Sequence, residues 1–221
     1  MVSNLFVVFD PVSVLGLHLN WVSVFMGLVF LPFIFWVVPS RFLVLFKEIT
    51  GVLASEVGFL FKEKWGGVEL ILVSLFWFIV MNNFLGLFPF IFTATSHLLV
   101  TLVLALPFWL SLMIYGWLKS TKEMFAYLVP LGTPFVLMNF MVLIETVSNV
   151  IRPVTLSVRL AANMIAGHLL IVLLGSAVML SVWSVCVGVF SLALLFLLEV
   201  AVAFIQSYVF MVLVGLYSAE I

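Results

Sequence analysis

Charged residues are so sparse and so unevenly placed in this chain that their positions alone constrain what it can fold into. No Lys, Arg, Asp or Glu falls between Asp10 and Arg41, and none between Glu69 and Lys119. From Glu123 to Glu220 the only ones are Glu145, Arg152, Arg159 and Glu199. A helix needs about 20 predominantly apolar residues to cross a bilayer, and each interval has room for at least one crossing. Composition agrees: 67% of the residues are hydrophobic and 8% charged, whereas a soluble domain carries roughly 25% charge. That leaves too little polar surface to cover a soluble globule. The expected fold class is therefore an all-α integral membrane protein. A net charge of −1 gives no basis for a nucleic-acid partner. The single cysteine, Cys186, lies in an apolar run; it has no intrachain disulfide partner and is expected to pack as a small hydrophobe. The N-terminal "MVSNLFVVFD" has neither a basic n-region nor an Arg-rich character. It reads as neither a secretory signal nor a transit peptide, so the chain is inserted directly or its presequence is missing.

Five membrane-embedded segments are expected, in one membrane domain covering 1–221: about 18–38, 70–90, 98–118, 135–174 and 186–214. Pro32 is expected to kink the first. The second and third form a hairpin, broken by Pro89 and the polar run "PFIFTATSH" at 89–97. "LGSAV" at 174–178 interrupts the long fourth segment. The last two exceed a perpendicular crossing and are expected to tilt or kink. Residues 41–69 differ, holding eight charges. Phe42, Phe46, Ile49, Leu53, Val57 and Leu60 share one face at helical period, with Glu56 at its edge, which predicts an amphipathic interfacial helix over about 41–64. Basic residues follow the first span (Arg41, Lys47, Lys62, Lys64) and the third (Lys119, Lys122). The positive-inside rule puts those loops on the cytoplasm-like side, the N-terminus outside and the C-terminus inside.

The fourth segment carries an unusual stripe. Glu145, Arg152 and Arg159 are spaced by seven, and each such step drifts only about 20° around a helix. Ser148, Thr155, Ala162, Asn163 and Ala166 fall within about 60° of Arg159 on the same wheel. Pro153 raises the prospect of a kink along it. An arginine at the centre of a membrane helix costs about 2.5–3.5 kcal/mol on insertion scales, so it must face protein or water. The small residues Ala162 and Ala166 admit a neighbouring helix closely. Few carboxylates in the chain are placed to pair with Arg159: Glu145 is about 21 Å away along the axis, and Glu199 lies on the fifth segment. A carboxylate on another subunit completes the pair naturally.

His168 is nine residues beyond Arg159 and points to the opposite side of the helix. Its imidazole titrates near neutrality in the unperturbed state, which suits a proton relay. Glu199 and Gln206 are seven apart and share a face of the fifth segment, so His168 and Glu199 are placed to meet across the last hairpin. Protonatable groups at two depths, with a fixed cation between them, fit proton transport from either side. Plainer roles stand beside these: Glu145 with Arg152 as a structural pair or headgroup contact, His168 as a packed core histidine, Asn163 and Gln206 as interhelical glue. Asn82 and Asn83 read as hydrogen-bonding within the hairpin, His97 as a turn residue and His18 as the start of span one.

"IETVSNVIRPVTLSVRLAANMIAGH" at 144–168 resembles the signature of the a subunits of rotary ATP synthases, the mitochondrial form being nearer. "IQSYVFMVLVGLY" at 205–217, "NNFLGLFPFIFTATSHL" at 82–98, "LALPFWL" at 104–110, "FDPVS" and "LPFIFWVVPSRF" resemble other parts of the same family, so the likeness spans essentially the whole chain. Bacterial relatives tend to carry an acid where His168 stands and a histidine where Glu199 stands. Val154 and Leu131 depart from the usual pattern, at positions proposed for no proton carrier. The resemblance implies a stator in the mitochondrial inner membrane, with its N-terminus in the intermembrane space and its C-terminus in the matrix. Its implied partners are a c-ring facing Arg159, the peripheral stalk, other membrane-sector subunits and the lipid bilayer. It implies an outer half-channel involving His168 and Glu199, with Asn163 and Gln206 near Arg159, and a matrix half-channel involving Glu145 with Ser148 and Asn149. No cofactor or metal is implied, and the chemistry of ATP would occur elsewhere. Two rivals differ in class: a stand-alone secondary transporter with a midplane site, and a structural subunit whose stripe merely docks a neighbour. The absence of a matching broken helix in the first half counts against the transporter.

Overall fold

The computed structural model describes residues 9–12, 18–32, 38–61, 67–88, 91–129, 137–178 and 182–220. Lys62, Lys64, Pro89, Leu131, Pro134 and the end of the expected first span fall outside them, as does the side chain of Leu60.

The described residues are helical and contain no strand. In chain order they form α1 (Ser23–Val29), α2 (Arg41–Phe61), α3 (Val68–Gly86), α4 (Leu98–Lys119), α5 (Thr121–Tyr127), α6 (Met138–Val178) and α7 (Val182–Glu220). A 3-10 turn, Leu19–Val22, leads into α1, and another, Ala94–Ser96, sits at the hairpin tip. Four helices, α3, α4, α6 and α7, are long and apolar enough to cross a membrane. Among the described residues of the first segment the helical part is Leu19–Val29, and a turn at Phe30 ends it two residues ahead of Pro32. That proline disfavours helical backbone in the residue before it.

α6 stays helical through Pro153 and through "LGSAV" to its last residue, Val178, where it ends, and α7 begins at Val182. A Gly-Ser pair weakens a helix in water, but in an apolar medium the backbone has no other hydrogen-bond partners. Ser176 spends its hydroxyl inside the helix, donating to the Leu173 carbonyl at 2.8 Å. With 41 and 39 residues, α6 and α7 are each about 60 Å long, twice the hydrocarbon thickness.

α3 is the structural centre. Its sequence is apolar on nearly every side, as a buried helix requires, and Leu72, Leu75, Phe76, Ile79 and Val80 are all buried. They share one core with Leu156 and Leu160 of α6 and with Phe210, Met211 and Val214 of α7. α7 packs against α3 and α6, and α6 also packs against α4. α2 leans on α3 and α7, burying Leu53 and Val57 and setting Phe46 4.3 Å from the Trp77 ring. The apolar face expected for α2 thus divides: Phe42 and Ile49 stay on the molecular surface. At the edge of that face, Tyr208 of α7 donates to Glu56 Oε2 at 3.1 Å. α1 approaches α3 at Gly27, where a Cβ would stand 3.3 Å from that of Met81.

Candidate functional site

Burial along α6 separates two faces. Pro153, Leu156, Ser157, Leu160, Ala161, Met164 and His168 are buried, whereas Thr155, Arg159, Ala162 and Ala166 are exposed. The stripe built on Arg159 is therefore outward at Thr155, Arg159, Ala162 and Ala166, while its members Glu145, Ser148, Arg152 and Asn163 are half-buried. Arg159 itself has no ion pair or hydrogen-bond partner among the described residues. With Gln206 it lines a small pocket together with Leu156, Leu160, Val209 and Phe210.

Three contacts fix how α6 and α7 lie antiparallel. Arg152 sits over the Tyr217 ring at 5.0 Å, Arg159 shares its pocket with Gln206, and the Glu199 carboxyl lies against Gly167. At Gly167 the fit is close: a Cβ would stand 2.7 Å from Glu199 Cδ and Oε1, so a side chain there would displace the carboxyl. Both carboxyl oxygens of Glu199 are buried and without a hydrogen-bond partner in the described structure. Such a group is costly unless water or another polar group reaches it. Space for that exists. A cavity of about 580 Å³ between α3, α6 and α7 is lined by Asn83, Asn163, Gly167, Ser191, Glu199 and Gln206, and otherwise by apolar side chains. A water needs only about 10–15 Å³ of such space together with polar partners.

His168 lies close to this cavity but faces another way. Its Nε2–H donates to the Gly86 carbonyl at the end of α3, at 2.6 Å. A carbonyl only accepts, so the proton on Nε2 is committed and Nδ1 is left to exchange protons. Glu199 touches the residue next to His168, yet no hydrogen bond joins the two side chains in the described structure. The hairpin brings them to the same level and turns the imidazole toward α3. Gly86 is tightly packed: a Cβ there would come 3.1 Å from Met164 Cε and 3.3 Å from Thr93 Cγ2. Nearer the other end of α6, Arg152 Nη2 and Glu145 Oε1 lie 3.7 Å apart, both side chains about one-third exposed. Ser148 and Asn149 are half-buried beside them. Of the expected residues, the cavity collects Asn163, Glu199 and Gln206. Arg159 does not line it but shares a second, small pocket with Gln206, while Glu145, Ser148 and Asn149 lie further along α6. Among the described residues no group of three or more His, Cys, Asp or Glu could hold a metal ion.

Asn83 is absent from the proton-path residues expected from sequence, although its Oδ1 is buried without a partner at the cavity wall. An amide in the middle of the apolar run 70–88 is the signal that points to it. Its neighbour Asn82 spends its amide inside α3, donating to the Phe78 carbonyl at 3.0 Å.

A largely apolar cleft that holds a buried carboxyl and three amide side chains, beside an outward-facing arginine in a bundle of apolar helices, fits a membrane-embedded protein that handles ions. The family model of the ATP synthase A chain matches residues 14–219. ATP synthase subunit a of Anopheles quadrimaculatus is 55% identical over 230 residues, that of Drosophila mauritiana 53% over 227, and that of Locusta migratoria 51% over 224, each covering the whole of both chains. The chain belongs to the ATP synthase A chain family, of the mitochondrial type, the proton-channel subunit of the membrane sector. Family membership sets aside the stand-alone transporter.

The contact of Glu199 with Gly167 makes a local test. Gly167→Ala pushes a methyl against the Glu199 carboxyl, which must shift, and is expected to leave the assembled membrane sector about 1 kcal/mol less stable than Gly175→Ala does. Gly175 is the control, because a Cβ there would meet nothing within 4 Å; Gly175→Ala should not destabilise. Thermal unfolding of the purified complex measures both, and equal melting of the two variants would contradict the Gly167 packing.

Proposed function

We propose that the exposed stripe of α6 faces a rotating ring of c subunits and that Arg159 separates two half-channels serving it. The observation that carries this reading is a guanidinium on the outward face of a membrane helix, among Thr155, Ala162 and Ala166, with no partner in the described structure. A permanent cation is tolerable in such a place when another subunit brings a carboxylate to it. Arg keeps its proton at every physiological pH. It therefore attracts an ionised ring carboxylate and does not pass protons on. A proton that enters on one side must then ride the ring to leave on the other.

In this reading the outer half-channel runs through the cavity bounded by Asn83, Asn163, Glu199 and Gln206, with His168 at its edge. Glu145, with Ser148 and Asn149, serves the matrix half-channel. The membrane potential contributes about 2.3 kcal/mol per charge per 100 mV. The chain forms one membrane domain of the inner mitochondrial membrane. Its basic loops face the matrix and its hairpin tip faces the intermembrane space, with the peripheral stalk and neighbouring membrane-sector subunits on its remaining surfaces. The bond-making chemistry of ATP takes place on other subunits.

Arg159→Gln is expected to cut proton-driven ATP synthesis by at least about a hundredfold, the scale of losing one preorganised charge-stabilising group. Arg159→Lys should also impair it, since a desolvated lysine can lose its proton. Synthesis by membranes with normal assembly is the measurement, and near-normal synthesis in Arg159→Gln contradicts the reading. For orientation, single cysteines at Ser55 and Leu98, both exposed, in a Cys186→Ala background should react with an impermeant thiol reagent from opposite sides. Reaction from one side alone contradicts the topology.

A further inference from the structure

The segment Phe9–Val12 lies over the end of the bundle that carries the hairpin tip, and its placement is specified by polar contacts. His97 Nε2–H donates to the Phe9 carbonyl at 3.0 Å, across 88 residues of sequence. Asn20 Nδ2 lies 3.4 Å from the Asp10 carbonyl, and Asp10 Oδ1 accepts from the Val12 N–H at 3.1 Å. His97 is itself gripped by rings, 5.2 Å from both Trp21 and Phe92. The result is a strap, fastened at His97, that carries the Phe9 ring to the imidazole of His168. The two rings meet edge to face, with centroids 6.4 Å apart and planes at 86°. On its other edge the same imidazole donates to the Gly86 carbonyl. His168 is 7% exposed, held between a backbone acceptor and an aromatic ring.

We propose that Phe9 is a positioning residue for His168 and that His97 is the latch that holds it there. The ring keeps the imidazole turned onto Gly86, so that Nε2 stays committed and Nδ1 is the nitrogen that exchanges protons. Without it, the imidazole gains rotational freedom and loses that division of labour between its nitrogens. His97, read from sequence as a turn residue, thereby acts on the proton path from outside it. The proposal rests on the reading of His168 as a proton-handling residue of the outer half-channel.

The test is passive proton conduction through the membrane sector of the whole complex, at equal assembly. Phe9→Ala should slow conduction by about two- to tenfold, the scale of one aromatic contact. His97→Phe keeps a ring against Trp21 and Phe92 but loses the donor, and should slow it to the same extent. His97→Gln restores a donor and should recover most of the rate. In a His168→Ala background, Phe9→Ala should cause no further loss, because residues acting through one group do not add. Additive losses overturn the proposal, as does a His97→Gln variant no faster than His97→Phe. Should Phe9→Ala fail to assemble, the two His97 variants decide alone. Normal conduction in His168→Ala would instead overturn the underlying reading of the half-channel. Slow His168→Ala with normal Phe9→Ala and His97→Phe would overturn the positioning role alone.

Discussion

A guanidinium placed mid-length on a membrane helix, pointing away from its own chain, sets the conditions for the surrounding structure. Arg159 cannot discharge itself, and an unpaired charge in lipid is expensive. Around it on the exposed face stand the small and hydroxylated side chains Thr155, Ala162 and Ala166, while Leu156, Leu160 and Met164 of α6 go to the core. That division leaves a face that a second helix can approach closely. It also leaves the cation in need of a carboxylate that its own described residues do not supply. A fixed charge whose counter-ion belongs to a moving partner is the physical basis of coupling in the proposed function.

Behind that face, the antiparallel fit of α6 and α7 sets the depth of each polar group. Gly167 makes room for the Glu199 carboxyl, Gln206 stands at the level of Arg159, and Tyr217 lies under Arg152. One register therefore serves three jobs: it opens the cavity, brings its polar wall up to the arginine, and holds the Glu145–Arg152 pair apart from it. α3 supplies the remaining wall through Asn83 and orients His168 through the carbonyl of Gly86. The strap at Phe9 and the latch at His97 complete the surroundings of that imidazole.

The parts that periodicity encodes are legible from sequence. Charge-free intervals mark the hairpin of α3 and α4, and the seven-residue spacing of Glu145, Arg152 and Arg159 identifies a face that the fold does turn outward at Arg159. What sequence does not encode is tertiary. α3 is apolar all round, so its pattern points in no direction, and its central position emerges only from packing. The backbone carbonyl of Gly86 carries no side-chain signal, so the expected meeting of His168 with Glu199 resolves into neighbouring positions, with the imidazole bonded to Gly86 and the carboxyl without a hydrogen bond in the described structure. "LGSAV" stays helical to its last residue, where α6 ends, since backbone groups in an apolar medium have no other hydrogen-bond partners. Phe9 and His97 lie far apart in sequence, beyond the reach of any local pattern.

The central claim is that the Arg159 stripe, and no other surface of the chain, meets the rotor. Oxidative cross-linking measures this directly. Single cysteines at Ala162 and Ala166, in a Cys186→Ala background, are paired with a cysteine one helical turn from the ring carboxylate, with Leu118 on the exposed side of α4 as the comparison. The account predicts disulfide-linked a–c adducts from Ala162 and Ala166 and none from Leu118. Adducts from Leu118 with none from the stripe would contradict it.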